Sequence, residues 1–402
     1  MKVTINKCTA RGSISAPPSK SMAHRYLICG ALSQGSVIEN IDYSDDILAT
    51  LNSLANLGAE VEVTGNTVKT GRLLESKETL GTLNCNESGS TLRFLIPLCL
   101  LFDREITLTG TKRLFERSMD IYKQICDEQD IKFLLTENSL TVKGRLKAGT
   151  YNVRGDVSSQ FISGLMFALS TLEGDSKINI TSKIESGSYI DMTVNALADF
   201  GVEIIRDDDN TILIKGNQTC KPQKISVEGD YSNAAFFDAF NNIGGCVEVT
   251  GLRNDTRQGD SVYRKYFKEL KNGTPTVDIS DCPDLAPVLM ALAAANNGVK
   301  LTGTHRLKIK ESDRGTVMAE ELNKFGCNVN VYENEITVNK CNLRAPTQVL
   351  CGHNDHRIVM ALSILLTVTG GTIDGAQAVN KSLPDFFKRL SLLGVESEVE
   401  QQ

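Results

Sequence analysis

One recurring pattern governs what this chain can fold into. A helical stretch ending near Leu-Gly, a short strand, a polar turn and a second strand return again and again along it. The first copy is ILATLNSLANLGAEVEVTGNTVKT at 47–70, where Ile47, Leu48, Leu51, Leu54 and Leu57 form one apolar helix face. Gly58 stands where a left-handed C-cap is wanted, and Asn66 where a hairpin turns. The cadence returns at 120–144, 191–216 and 316–340, in part at 384–400, and in degenerate form at 261–280. The helix-end residues Gly58, Asp130, Gly201, Gly273, Gly326 and Gly394 are spaced by 72, 71, 72, 53 and 68 residues, so six units share 402 residues at an average of 67. Such a unit cannot bury its apolar face alone and must share a core with its neighbours. Solenoid repeats run roughly 20–50 residues, shorter than this period. Two globular α/β (α+β) domains of three units each fit better, with the cleft between them as the default ligand site.

Composition agrees with a packed protein. A hydrophobic fraction of 41% excludes disorder. The net charge of −6 argues against general nucleic-acid binding, which needs a basic face, but not against one anionic small ligand. The 11 cysteines are scattered without a C-x-x-C pair, so neither a zinc site nor a disulfide framework is expected. They read as reduced core thiols of a cytoplasmic protein. The N-terminal MKVTINKCTARG has no apolar stretch of the signal-peptide kind. The longest apolar run, 94–102, is far short of the ~20 residues of a membrane span. His24, His305, His353 and His356 share no ligand spacing, so no metal site is expected.

Cations and hydroxyls cluster at helix starts, where free N–H groups and the dipole suit an anion. PPSKSMAHR (17–25) stiffens its approach with prolines and crowds Lys20, Ser21 and Arg25 into the first turns; no Walker glycine precedes Lys20, which undercuts a nucleotide reading. NESGSTLRF (86–94) carries Gly89, Ser90 and Arg93, and KRLFERSMD (112–120) carries Arg117. GDVSSQF (155–161) sets Ser158, Ser159 and Gln160 before an apolar helix, where hydroxyls cap as readily as they bind. LKIKESDRG (307–315) mixes Lys310, Glu311 and Arg314; GHNDHR (352–357) supplies Arg357, and NKSLPDFF (380–387) Lys381. Asp284 lies in an apolar stretch where an unpaired carboxylate is costly, and it either N-caps the helix after Pro283 or does chemistry.

Taken in order, S-K-S-x-x-x-R, S-G-[ST]-T-x-R, V-S-S-Q-F, K-E-S-D-R and N-D-H-R resemble the enolpyruvyl transferase family, in its branch acting on shikimate 3-phosphate, over nearly the whole chain. The resemblance implies two domains, each of three repeated β/α units with parallel helices and mixed sheets. It also implies an active site in the interdomain cleft. Residues 1–14 with 228–402 would form one domain and 15–227 the other, with crossings near 13–15 and 227–229. It implies that a monomer transfers the enolpyruvyl group of phosphoenolpyruvate to the 5-hydroxyl of shikimate 3-phosphate, releasing phosphate, with no metal or organic cofactor. Lys20, Gly89, Ser90, Arg93, Arg117, Gln160, Arg314, Arg357 and Lys381 would hold phosphoenolpyruvate. Lys20, Ser21, Arg25, Ser158, Ser159, Gln160, Ser186, Tyr189, Asp284 and Lys310 would hold shikimate 3-phosphate. Asp284, Glu311 and Lys20 would divide the acid and base work.

The match departs from the family pattern at Pro18, Ala23, Glu87, Ser90 and Arg306, while the cationic set is intact. The sister branch that uses UDP-N-acetylglucosamine has Lys-Asn-Ala where this chain has Lys20-Ser21-Met22, and a Cys-bearing loop with no match at 112–119. A non-catalytic binding relative is disfavoured by the presence of Asp284, Glu311, Lys20 and Lys381 together.

Overall fold

The computed structural model describes residues 1–75, 81–208 and 210–400; Asp209, in the turn of the 191–216 copy, lies outside them. The chain forms two compact units, Met1–Ser19 with Gly229–Gln402, and Lys20–Glu228. Residues 15–19 stay with the first unit for a local reason. The Ala16 amide donates to Thr250 at 2.9 Å, the Asp230 amide donates to Pro17 at 2.7 Å, and Pro18 bridges Gly229.

In the unit Lys20–Glu228 the repeat becomes three four-stranded sheets built to one plan. In one of them Thr150–Val153 pairs parallel with Ser176–Ile180, which pairs antiparallel with Thr211–Ile214, itself antiparallel to Ile204–Asp208. Thr82–Asn84, Ile106–Thr109, Ser139–Lys143 and Lys132–Leu135 repeat that order. The third sheet is permuted: its first strand, Lys224–Ser226, comes from the far end of the unit and pairs parallel with Ser36–Glu39. The 47–70 copy folds as its pattern dictates. Asp45–Leu57 is helical, Gly58 caps it at φ +113, and Gly65-Asn66 close the hairpin with Gly65 at φ +59.

Two kinds of helix cover these sheets. The outer ones, such as Asp45–Leu57 and Asp120–Glu128, bury one face. The inner ones, Lys20–Ala31, Gly89–Cys99 and Ser159–Leu169, are buried nearly all round, which is where the apolar run at 94–102 belongs. Gly164 lets two of them touch: a Cβ there would lie 2.5 Å from the Arg93 carbonyl and 2.4 Å from the Tyr122 hydroxyl. One apolar core runs through the unit, from Met22 to Val227.

The unit Met1–Ser19 with Gly229–Gln402 has its own core, from Val3 to Val395. Thr276–Asp278, Gly298–Thr302, Glu335–Asn339 and Val329–Val331 follow the common plan. The copy at 384–400 lacks a strand of its own, and Lys2–Ile5 supplies it, antiparallel to Gly371–Asp374 on one side and Ser397–Glu400 on the other. The degenerate copy at 261–280 forms its helix, Tyr263–Asn272, but no hairpin. Thr276–Asp278 goes straight into the next sheet, which leaves Cys246–Thr250 and Arg11–Ser15 as a two-stranded parallel pair. The missing hairpin accounts for the short spacing of 53 residues between Gly273 and Gly326.

The expectation that all the cysteines are core residues needs correction. All are free thiols, but Cys246 and Cys351 are exposed and Cys8 and Cys341 half-buried; the other seven are buried. Among the described residues no helix is long and apolar enough to cross a membrane.

Candidate active site

The candidate residues of the unit Lys20–Glu228 gather at the starts of the inner helices, where a buried apolar helix meets a polar boundary. In the unit Lys20–Glu228, Lys20 opens the first of them and its ammonium pairs with Asp46 at 2.7 Å. One turn on, Arg25 is anchored by three of its five N–H donors: Nε donates to the Thr193 hydroxyl at 2.8 Å, Nη1 to the Ser21 carbonyl at 2.7 Å and Nη2 to the Tyr189 carbonyl at 2.9 Å. Burial lowers this guanidinium to about 10, which leaves it charged at neutral pH. Behind them His24 Nδ1 meets the Thr50 hydroxyl at 2.8 Å, and Thr50 meets Thr91 at 2.6 Å, tying three helices together. Burial first, then Lys20 and Arg25, hold His24 well below its usual range, so it is neutral.

The second and third inner helices meet through Arg93, whose Nη1 donates to Gln160 Oε1 at 2.8 Å while Gln160 Nε2 donates to Ser90 Oγ at 3.0 Å. Ser88 caps one helix by accepting from the Thr91 amide, and Ser158 caps the other by accepting from Gln160, so the capping reading of Ser158 holds. Ser159 is buried beside it. Ser186 precedes Gly187–Asp199 in the left-handed region at φ +57, an unusual conformation for serine.

Arg117 differs from the other cations. It is 8% exposed, and its guanidinium has neither a hydrogen-bond nor an ion-pair partner among the described residues, with Nε wholly shielded from solvent. It lies over Gly89: a Cβ on that glycine would sit 2.6 Å from Nη1. A buried guanidinium without a counter-ion is expensive unless an anion completes the site.

In the other unit the acids and cations are already joined. Asp284 accepts from Lys310 at 3.1 Å and Arg314 at 2.8 Å through Oδ1, and from Arg357 at 3.0 Å through Oδ2. It is therefore no helix cap; its carboxylate balances three cations. Burial pushes this carboxyl up, but Arg357, Lys310 and Arg314 outweigh it and hold it well below the usual range. Burial lowers the Lys310 ammonium to about 8. Arg314, 1% exposed, also donates to Glu311 at 2.6 Å and to Asp355 at 2.8 Å. Arg357 donates as well to the Ser232 hydroxyl at 2.8 Å. Lys381 donates to the Asn354 carbonyl, and Asp355 caps the helix His356–Thr369. Burial, then the Asp284 charge, push the buried Asp260 up to about 6.

The candidate residues thus fall into two sets, Lys20, Ser21, Gly89, Ser90, Arg93, Arg117, Ser158, Ser159, Gln160, Ser186 and Tyr189 with Arg25 in one unit, and Asp284, Lys310, Glu311, Arg314, Arg357 and Lys381 in the other. Sequence reasoning passed over Asp46, Asp355, Asp260 and Ser232. Asp355 had a signal, an acid directly before a helix start; the others pair with residues remote in sequence and had none. Among the described residues no group of His, Cys, Asp and Glu could hold a metal ion.

The comparisons with known proteins agree with one another. The sequence model of EPSP synthase (3-phosphoshikimate 1-carboxyvinyltransferase) matches residues 6–390. The chain is 43% identical to the 3-phosphoshikimate 1-carboxyvinyltransferase of Clostridium acetobutylicum, covering 98% of this chain and 97% of that one. It is 40% identical to the protein of that name from Clostridioides difficile, over 95% of each. Among solved structures it resembles EPSP synthase from Acinetobacter baumannii, with a TM-score of 0.80 at 22% identity and full coverage of both chains. The enolpyruvyl transferase NikO from Streptomyces tendae shares the fold at a TM-score of 0.77 and 13% identity, over 99% of this chain and 98% of that one.

Proposed function

The chain belongs to the EPSP synthase family, and on that premise we propose how its residues transfer the enolpyruvyl group of phosphoenolpyruvate to the 5-hydroxyl of shikimate 3-phosphate, a step of the shikimate pathway. The observation that carries the reading is Arg117, a buried guanidinium without a partner among the described residues, held against a glycine. It wants an anion, and phosphoenolpyruvate supplies a carboxylate and a phosphate. Arg93, Gln160, Ser90 and Lys20 stand with Arg117 in that task, and Arg314, Arg357 and Lys381 serve it from the other unit. Ser21, Arg25, Ser158, Ser159, Gln160, Ser186, Tyr189 and Lys310 take shikimate 3-phosphate, with Asp284 facing its 5-hydroxyl. The reading has the chain act as a cytoplasmic monomer.

The chemistry is an addition followed by an elimination. The 5-oxygen bonds to C2 of phosphoenolpyruvate and gives up its proton while C3 gains one. The C2–O bond to phosphate then breaks as C3 loses a proton, restoring the double bond. Asp284 takes the first proton: its cations keep it ionised, and it becomes more basic as Arg314, Arg357 and Lys310 turn from it toward substrate anions. Glu311 or Lys20 delivers the proton to C3. The cations compensate charge and align the two anions, which is most of what such a reaction asks of a protein.

The test is release of inorganic phosphate from phosphoenolpyruvate by the purified chain. Release is expected only when shikimate 3-phosphate is present; release with UDP-N-acetylglucosamine in its place would overturn the reading.

A further inference from the structure

The turn before the helix His356–Thr369 is strained. His353 and Asn354 both lie in the left-handed region, at φ +47 and +52, and neither is glycine. Successive left-handed residues persist only where their surroundings hold them. Here the turn has a firm anchor. Glu321, its side chain 2% exposed on the helix Arg314–Lys324, accepts from the Cys351 amide at 3.0 Å through Oε2 and meets His353 Nε2 at 2.9 Å through Oε1. Lys324 closes the cluster at 2.9 Å. The helix that begins with Arg314 is thereby clamped, at its other end, to the approach to Asp355.

Three cations of the proposed site depend on this turn. The Asn354 carbonyl accepts from Lys381. Asp355 accepts from Arg314 and from the Arg357 amide, and its own amide donates to Gly352 at 2.9 Å. A relaxed turn would move the acceptor of Lys381 and the carboxylate behind Arg314 together. None of the clamping groups needs to touch a substrate.

We propose that Glu321 and His353 form a positioning pair that holds the strained turn 352–355 so that Lys381, Arg314 and Arg357 meet phosphoenolpyruvate in register. This rests on the assignment of those three cations to phosphoenolpyruvate. It predicts an effect on one substrate only. In the full-length chain, His353→Ala and Glu321→Gln should raise KM for phosphoenolpyruvate about tenfold or more, while KM for shikimate 3-phosphate stays within about twofold. His353→Gly should recover most of the loss, because glycine takes the left-handed conformation without needing the clamp. An unchanged KM for phosphoenolpyruvate, equal rises for both substrates, or no recovery with glycine would overturn the pair's role; His353, at 22% side-chain exposure, can be replaced even if Glu321 cannot. Amide exchange at 352–357 needs no substrate: His353→Ala should speed it at least tenfold, and unchanged protection overturns the proposal whatever the chain binds. Lys381→Ala checks the underlying assignment separately, since an unchanged KM for phosphoenolpyruvate there removes Lys381 from that role and leaves the exchange result standing.

Discussion

At the scale of single residues, Arg117 and Gly89 separate affinity from stability. A charge-assisted hydrogen bond contributes about 1.5–3 kcal/mol, so Arg117→Ala should lower kcat/KM for phosphoenolpyruvate by roughly tenfold to a hundredfold. Gly89→Ala should do nearly as much, since its Cβ would stand 2.6 Å from the guanidinium and push it aside. What it displaces is the end of a flexible side chain, so the denaturation midpoint should hardly move. Steady-state kinetics beside urea unfolding would show whether the two effects part.

Asp284 and Lys310 carry the pH dependence. Asp284→Asn keeps the shape and removes the carboxylate that takes the proton, so kcat should fall by about 10²–10⁴ with shikimate 3-phosphate still bound, as calorimetry can show. The folded Asp284 carboxyl lies well below its ordinary value of about 3.9, so its share of stability is present above that pH and lost as pH falls toward the folded value. The Asn variant should lack that share of the acid limb. Lys310 runs the other way. With its folded value near 8, the unfolded chain binds more protons from there up to about 10.4, so its burial penalty is relieved as pH rises through that window. If its ammonium binds substrate anion, kcat/KM for shikimate 3-phosphate should decline above about pH 8, and Lys310→Arg should move that limb upward. A decline at the same pH in the Arg variant would assign it to another group.

At the scale of elements, the inner helices tie packing to the site. Gly164→Ala would set a Cβ 2.5 Å from the Arg93 carbonyl and force two helices apart. Overpacking of this kind costs about 1–3 kcal/mol, and here it also pulls Gln160 from Arg93. Chemical denaturation should report the first effect and KM for phosphoenolpyruvate the second. These helices also mark where sequence reading stops. The outer helix Asp45–Leu57 shows its face by spacing, and Gly58 shows its end. The helix Ser159–Leu169 is apolar almost all round, so its periodicity says nothing of direction; only Ser158 at its cap shows that a helix starts there. Candidate residues on motifs could be named one by one, but the side chains they pair with could not. Asp46 lies 26 residues from Lys20 and Ser232 lies 125 from Arg357, separations that only folding closes.

At the scale of the whole molecule, the two units differ in how the chain builds them. Lys20–Glu228 is one continuous segment with its own core, and its permuted sheet is completed from within by Lys224–Ser226. A segment of this size that carries its own core can fold alone. Expressed as 20–228, it should unfold cooperatively, and it should bind shikimate 3-phosphate weakly through Arg25 and the serines while releasing no phosphate from phosphoenolpyruvate. The other unit is discontinuous, and its N-terminal strand is an interior one, with Lys2–Ile5 paired on both sides and Val3 and Ile5 fully buried. Deleting residues 1–6 removes ladder bonds along two edges and leaves a slot in the core. That deletion should abolish the fold of the C-terminal segment while the 20–228 segment retains its own unfolding transition. Limited proteolysis reads this directly: cleavage sites should appear throughout 229–400 and be absent from the core of 20–228. Uniform protection of both segments would mean that the strand adds little, and uniform cleavage would mean that the continuous unit cannot stand alone.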